Sequence, residues 1–159
     1  MDKLSQVLWR ERELLESLTF KLEVEQLVLA SGRTTWLARA TKEVELVLEM
    51  LREAEILRAV ASDEAAATLG LGSTPSLRVL AEAVDEPWRG ILLDHRDAFE
   101  QATRDIEALA QRNRQLLTSG LRSAREALLS LEEATEGYGQ DGVAVTGGAP
   151  APRLVDRSL

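Results

Sequence analysis

The chain has 159 residues and a mass of 17.5 kDa, enough for one domain with a substantial core. Ala, Glu, Lys, Leu and Arg make up more than half of it while aromatic residues make up only 4%, a balance that favours long helices and argues against a β-sandwich or barrel. A net charge of -8 disfavours binding to phosphate backbones or anionic lipid, and the lack of cysteine excludes disulfides, thiolate chemistry and cysteine-based zinc sites.

Glycine and proline draw the helix map. Up to residue 69 the only one is Gly32, and from 91 to 136 the only one is Gly120. A first helix is predicted from about Lys3 to Ala30, with Asp2 as its N-cap. Leu4, Leu8, Leu15, Leu18, Leu22 and Leu29 form one apolar stripe on it, interrupted by Glu11 and Glu25. Ser31-Gly32 ends this helix, with glycine as a left-handed cap.

A second helix opens at Thr34 or Thr35. Leu37, Val44, Val47, Leu48, Leu51, Ala54, Leu57 and Ala61 are its expected core face. The short linker makes helices one and two antiparallel neighbours. Gly70 and Gly72 break the second helix. Thr74-Pro75 then reads as a cap and first-turn proline for a short helix to Val84.

The last helix is predicted from about Glu86 to Glu133, about 70 Å at 1.5 Å per residue. Trp88, Leu92, His95, Phe99, Ala102, Ile106, Leu109, Asn113 and Leu116 form a heptad seam. The stripe then steps by one residue to Leu117, Leu121, Ala124, Leu128 and Leu131. The fold expected is all-α: an antiparallel bundle of three long helices plus one short helix, with a coiled-coil-like extended C-terminal helix. The bundle domain spans residues 1–136, and residues 137–159 are a Gly/Pro-rich flexible tail.

Catalytic signatures are missing. The single histidine, His95, lacks the Glu three residues before it, and the second histidine, that a di-iron bundle uses; it reads as a seam residue bonded to a nearby acceptor. No serine or threonine has an activating base nearby in sequence, and no glycine-rich phosphate loop is present. Arg112, Arg114, Arg122 and Arg125 read as a solvated face pairing with Glu126 and other carboxylates. Trp9, Trp36 and Trp88 read as core or bundle-edge anchors. The start of the chain has no basic region followed by an apolar core, and its apolar runs are far too short to span a bilayer. The expectation is a cytoplasmic protein, with no cofactor, no metal, no nucleic-acid partner and no membrane insertion.

The distal leucines of the last helix have few helices left to cover them. Such a stripe seeks another amphipathic helix. Periodicity leaves two occupants open: a helix of another protein, or a second copy in a homodimeric coiled-coil scaffold.

Three segments carry a family resemblance. The first is Glu13-Leu14-Leu15 through Phe20-Lys21-Leu22-Glu23-Val24-Glu25-Gln26-Leu27, leading to Leu29-Ala30-Ser31-Gly32-Arg33 and Trp36-Leu37-Ala38-Arg39-Ala40-Thr41. The second is Asn113-Arg114-Gln115-Leu116-Leu117, and the third is Tyr138-Gly139-Gln140-Asp141-Gly142. In this order the chain resembles the flagellar export chaperones of the FlgN type over nearly its whole length. The resemblance implies a non-enzymatic type III export chaperone. Such a chaperone binds the C-terminal helical regions of hook–filament junction proteins, prevents their premature assembly and hands them to the cytoplasmic domain of the export gate. Client contact is expected on Leu116, Leu117, Leu121, Ala124, Leu128 and Leu131. Tyr138 resembles the tyrosine this class uses to dock on the gate. Asn113, a lone polar residue on the seam, is a candidate for specifying register.

Overall fold

The computed structural model describes residues 1–136, with side chains described as far as residue 134. Among the described residues there are four helices and no strand: α1 Asp2–Ala30, α2 Thr34–Thr68, α3 Leu77–Glu82 and α4 Trp88–Glu136. The chain divides into two compact units, Met1–Thr118 and Ser119–Leu159. The first holds the bundle.

The helix stops follow the expected chemistry. Ser31 caps α1, and Gly32 takes φ +66°, the left-handed conformation that reverses the chain into α2. At the end of α2, Gly70 has φ +69°. Its N–H donates to the Ala67 carbonyl, and the Leu71 N–H donates to the Ala66 carbonyl at 2.9 Å. That is a Schellman closure, and Leu71 completes it by packing on the core. The helix starts differ from expectation. Asp2 lies inside α1 and makes no side-chain cap, and Arg33 precedes α2 without one. The short helix begins later than Thr74-Pro75: Ser76 is its cap, its hydroxyl accepting from the Val79 N–H. A Ser at that position, followed by residues with no helix breaker, outcompetes the proline start. The last helix starts at Trp88 rather than Glu86 and is described to Glu136.

Two apolar clusters form the bundle core. One joins Leu4 and Leu8 of α1, Ala61, Ala65 and Ala66 of α2, Leu80 and Ala81 of α3, and Leu92 of α4. The other joins Leu14, Leu18 and Leu22 of α1, Val44, Val47, Leu51 and Ala54 of α2, and Leu109 of α4. Along α1 the sequence numbers rise while their α2 partners fall, so these helices are antiparallel. Arg12 meets Asp94 at 3.0 Å and Glu25 meets Asn113 at 2.9 Å, so α1 and α4 run parallel.

Two expected core residues of α2 are corrected. Leu48 and Leu57 are exposed, and the inward stripe is instead Ala40, Val44, Val47, Leu51, Ala54 and Ala61, continuing to Ala65. The alanines explain the choice, because small side chains let α1 approach α2 closely and leave the larger residues outside. On α1, Leu14 is the buried residue and Leu15 is only half-buried.

Candidate functional site

The polar residues on the α1 and α4 seams occupy the two ends of the second core cluster. Glu11 is buried and interrupts the leucines of α1. Arg58 of α2 brings its Nε to 2.8 Å from Glu11 Oε2. Burial raises the Glu11 carboxyl above the usual carboxylate range, with Arg58 opposing that shift and Glu55 adding to it. His95 lies in the same stretch of the bundle and is almost fully buried. It has no hydrogen-bond partner on either ring nitrogen, which corrects the expectation of an acceptor beside it. Its neighbours are aromatic instead: the Trp9 ring meets it edge-on at 4.9 Å, and Phe99 lies tilted at 6.0 Å. Desolvation lowers its pKa, the Arg12 charge lowers it further, and Asp94 opposes both.

The other end of the cluster is closed by Asn113. Its Nδ2 donates to the Leu22 carbonyl at 3.0 Å and to Glu25 Oε2 at 2.9 Å. The other Glu25 oxygen accepts from the Thr41 hydroxyl at 2.8 Å. Three helices are thus tied through one carboxylate. Lys21 and Glu43 add an α1–α2 ion pair at 2.6 Å, and together with Arg39 it holds the Glu43 carboxyl below the usual carboxylate range.

The expected client-binding residues fall as follows. Leu116 is half-buried and Leu117 is exposed, both in the first unit. In the second unit, Leu121 is 65% exposed, Leu128 61% and Leu131 63%, and Ala124 is exposed with them. Their three- and four-residue spacing puts these four on one helical face. Leu129, absent from the expected set, is also exposed. Arg122 and Arg125 are exposed, but neither makes the expected ion pair with Glu126. Tyr138 lies outside the described residues.

The sequence reading also missed a second exposed apolar stripe. Leu46, Met50, Leu57 and Val60 recur on the outer side of α2 at helical spacing, and Ile56 lies beside them. The signal is a second apolar period, of which the sequence reading assigns only Leu57, and that to the core face. Of the tryptophans, Trp9 is a bundle-edge anchor, packed on His95 and under the Arg12 guanidinium at 5.2 Å. Trp36 is exposed and Trp88 half-buried.

Among the described residues no cluster of three or more His, Asp or Glu side chains is placed to hold a metal, and no helix is long and apolar enough to cross a membrane. What the surface offers is apolar helix face in excess of what a closed bundle requires, the mark of a helical protein built to bind other chains. The chain belongs to the FlgN protein family, whose model matches residues 1–146. That makes it a flagellar export chaperone. Neither the curated proteins nor the solved structures searched give a match.

Proposed function

We propose that this chaperone serves the hook–filament junction proteins. In the cytoplasm it binds their C-terminal helical regions through Leu116, Leu117, Leu121, Ala124, Leu128 and Leu131, keeps them from assembling early and delivers them to the cytoplasmic domain of the export gate. The observation that carries this reading is the exposure of Leu121 and Leu128 on one face of α4. A client helix laid along that face would remove these side chains from water, each contributing up to about 1.5–3 kcal/mol before ordering costs. Tyr138 is proposed as the contact to the gate, a step separate from client capture. No catalytic step is part of this activity.

Sedimentation of the full chain with and without a C-terminal fragment of a junction protein tests the reading. The expected result is a one-to-one complex that Leu121→Asp with Leu128→Asp abolishes. A tight dimer indifferent to the fragment would instead support a homodimeric scaffold. Tyr138→Ala is expected to keep the complex and lower junction-protein secretion in cells; unchanged secretion removes the gate role.

A further inference from the structure

The first unit carries a feature that client capture on α4 does not use. Two cavities, of about 580 Å³ and 380 Å³, lie along α3 and α4 and share Arg78 and Arg96 in their walls. Arg104 lines the larger one and Arg89 the smaller. Half-buried apolar side chains lie between these cations: Leu77 and Phe99 in the larger cavity, Leu93 in the smaller. In a chain of net charge -8, this is a concentrated positive strip around a greasy groove.

Some of that charge is already matched. Arg78 pairs with Glu82 at 3.0 Å, and Arg96 pairs with Asp97 at 2.6 Å and Glu100 at 3.7 Å. Arg89 and Arg104 are not matched. The Arg89 Nε donates to the Ala81 carbonyl at 3.3 Å, and Arg104 donates to Gln101 Oε1 at 2.8 Å. Neither has a carboxylate within ion-pair range among the described residues. Both contacts hold the side chains in place while leaving guanidinium donors and a full charge unanswered. Arg89 and Arg104 stand seven residues before and eight after Arg96, about 10–12 Å along the helix on either side.

We propose that the α3–α4 groove binds an acidic amphipathic helix of a partner protein. Such a helix would place carboxylates about four turns apart against the unmatched Arg89 and Arg104, and its apolar stripe on Leu77, Leu93 and Phe99. Charge complementarity selects this occupant. A second copy of the chain brings its own excess of negative charge, but it would have to thread one segment into the groove against repulsion from the rest. A flat anionic membrane meets the same repulsion over a larger area of the chain. A free small anion would leave the apolar floor wet.

The test uses the full chain and two labelled synthetic helices of about 20 residues. Both carry the same leucine stripe; one has glutamates about four turns apart along its flanks and the other has lysines there. Fluorescence anisotropy gives each affinity. The glutamate helix is expected to bind about tenfold or more tighter, with a preference that fades as salt rises. Arg89→Glu with Arg104→Glu is expected to erase the preference, while Leu121→Asp with Leu128→Asp leaves it intact. If the Arg→Glu pair loses helicity by circular dichroism, Arg89→Gln with Arg104→Gln, which adds no negative charge, must still reduce the preference several-fold. Equal binding of the two helices overturns the proposal. So does a preference that survives the arginine changes or disappears with the leucine changes. Binding to phosphatidylglycerol vesicles tighter than to the glutamate helix overturns it in favour of a lipid surface.

Discussion

The side-chain amide of Asn113 on α4 and the carboxylate of Glu25 on α1 meet at 2.9 Å, and the same amide nitrogen reaches the Leu22 carbonyl at 3.0 Å. Asn113 is buried and Glu25 half-buried, and Thr41 of α2 holds the second carboxylate oxygen. One acidic residue therefore receives a donor from each of the other two long helices. Sliding α4 by one turn against α1 would strand the amide among leucines, so the contact fixes register as well as adding stability.

Replacing Asn113 tests that role. Asn113→Ala removes two hydrogen bonds, one of them to a charged group, and is expected to cost about 1–3 kcal/mol. Asn113→Asp keeps the shape but sets a second carboxylate against Glu25, so it should be the worse of the two at pH 7 and recover on acidification. Thr41→Val should cost less than either. Urea unfolding curves at pH 7 and pH 5 give the ranking. Equal stability of Asn113→Asp and the wild type at pH 7 would remove the clamp from the account.

The Glu11–Arg58 pair obeys a different rule, because the carboxylate is almost fully buried. Arg58→Met leaves that charge unmatched and is expected to cost about 2–4 kcal/mol at pH 7. Glu11→Leu with Arg58→Met removes the desolvation cost together with the charge. The double variant should fall within about 1 kcal/mol of the wild type or exceed it. The raised Glu11 pKa means the folded state holds this proton more tightly than the unfolded chain. The deficit of the single Arg58→Met variant should therefore shrink as pH falls toward the carboxylate range. Thermal melts of the single and double variants at pH 7 and pH 5 measure both effects. A double variant as weak as the single one would show that the pair is a net stabiliser.

The helices and the α4 seam could be read from the sequence because one long apolar period dictates which residues turn inward. Glu11, Glu25, His95 and Asn113 were visible as breaks in that period. Their partners were not, since Arg58, Thr41 and Trp9 sit on other helices and meet them only once register is set. The α2 face was misread for a related reason. That helix carries two apolar stripes, and periodicity groups Leu48 and Leu57 with Ala54 and Ala61; close packing keeps the alanines inside and leaves the two leucines out. The leucines of distal α4 were legible as a stripe, but exposure depends on what else covers them, which no single-helix pattern contains. The arginine groove is not legible in the sequence because Leu77 and Arg78 of α3 come beside Arg96 and Phe99 of α4 only once the chain has folded.

His95 gives the bundle a pH dependence whose sign is fixed by its surroundings. Its folded pKa lies below the ordinary value near 6.5, chiefly through burial, with Arg12 adding to the shift and Asp94 opposing it. On acidification the unfolded chain takes up this proton first. Stability is therefore whole above about pH 6.5 and declines below it, by at most about 1.4 kcal/mol per pH unit, until the folded state protonates too. His95→Gln, neutral at every pH, should flatten the curve between pH 7 and pH 5. Urea midpoints across that window decide it. An unchanged slope in the variant would assign the acid sensitivity to other groups.

Leu121 and Leu109 lie on the same helix and are expected to answer mutation in opposite ways. Leu109 is buried in the second core cluster, and Leu109→Ala should cost about 2–4 kcal/mol through lost burial and the cavity left behind. Leu121 and Leu128 are exposed, so Leu121→Asp with Leu128→Asp should change stability by no more than about 0.5 kcal/mol per site. Circular dichroism melts of the two variants make the comparison directly. A collapse of the aspartate variant comparable to that of Leu109→Ala would mean that the distal leucines serve the fold itself, leaving no apolar face on α4 to lend to a client.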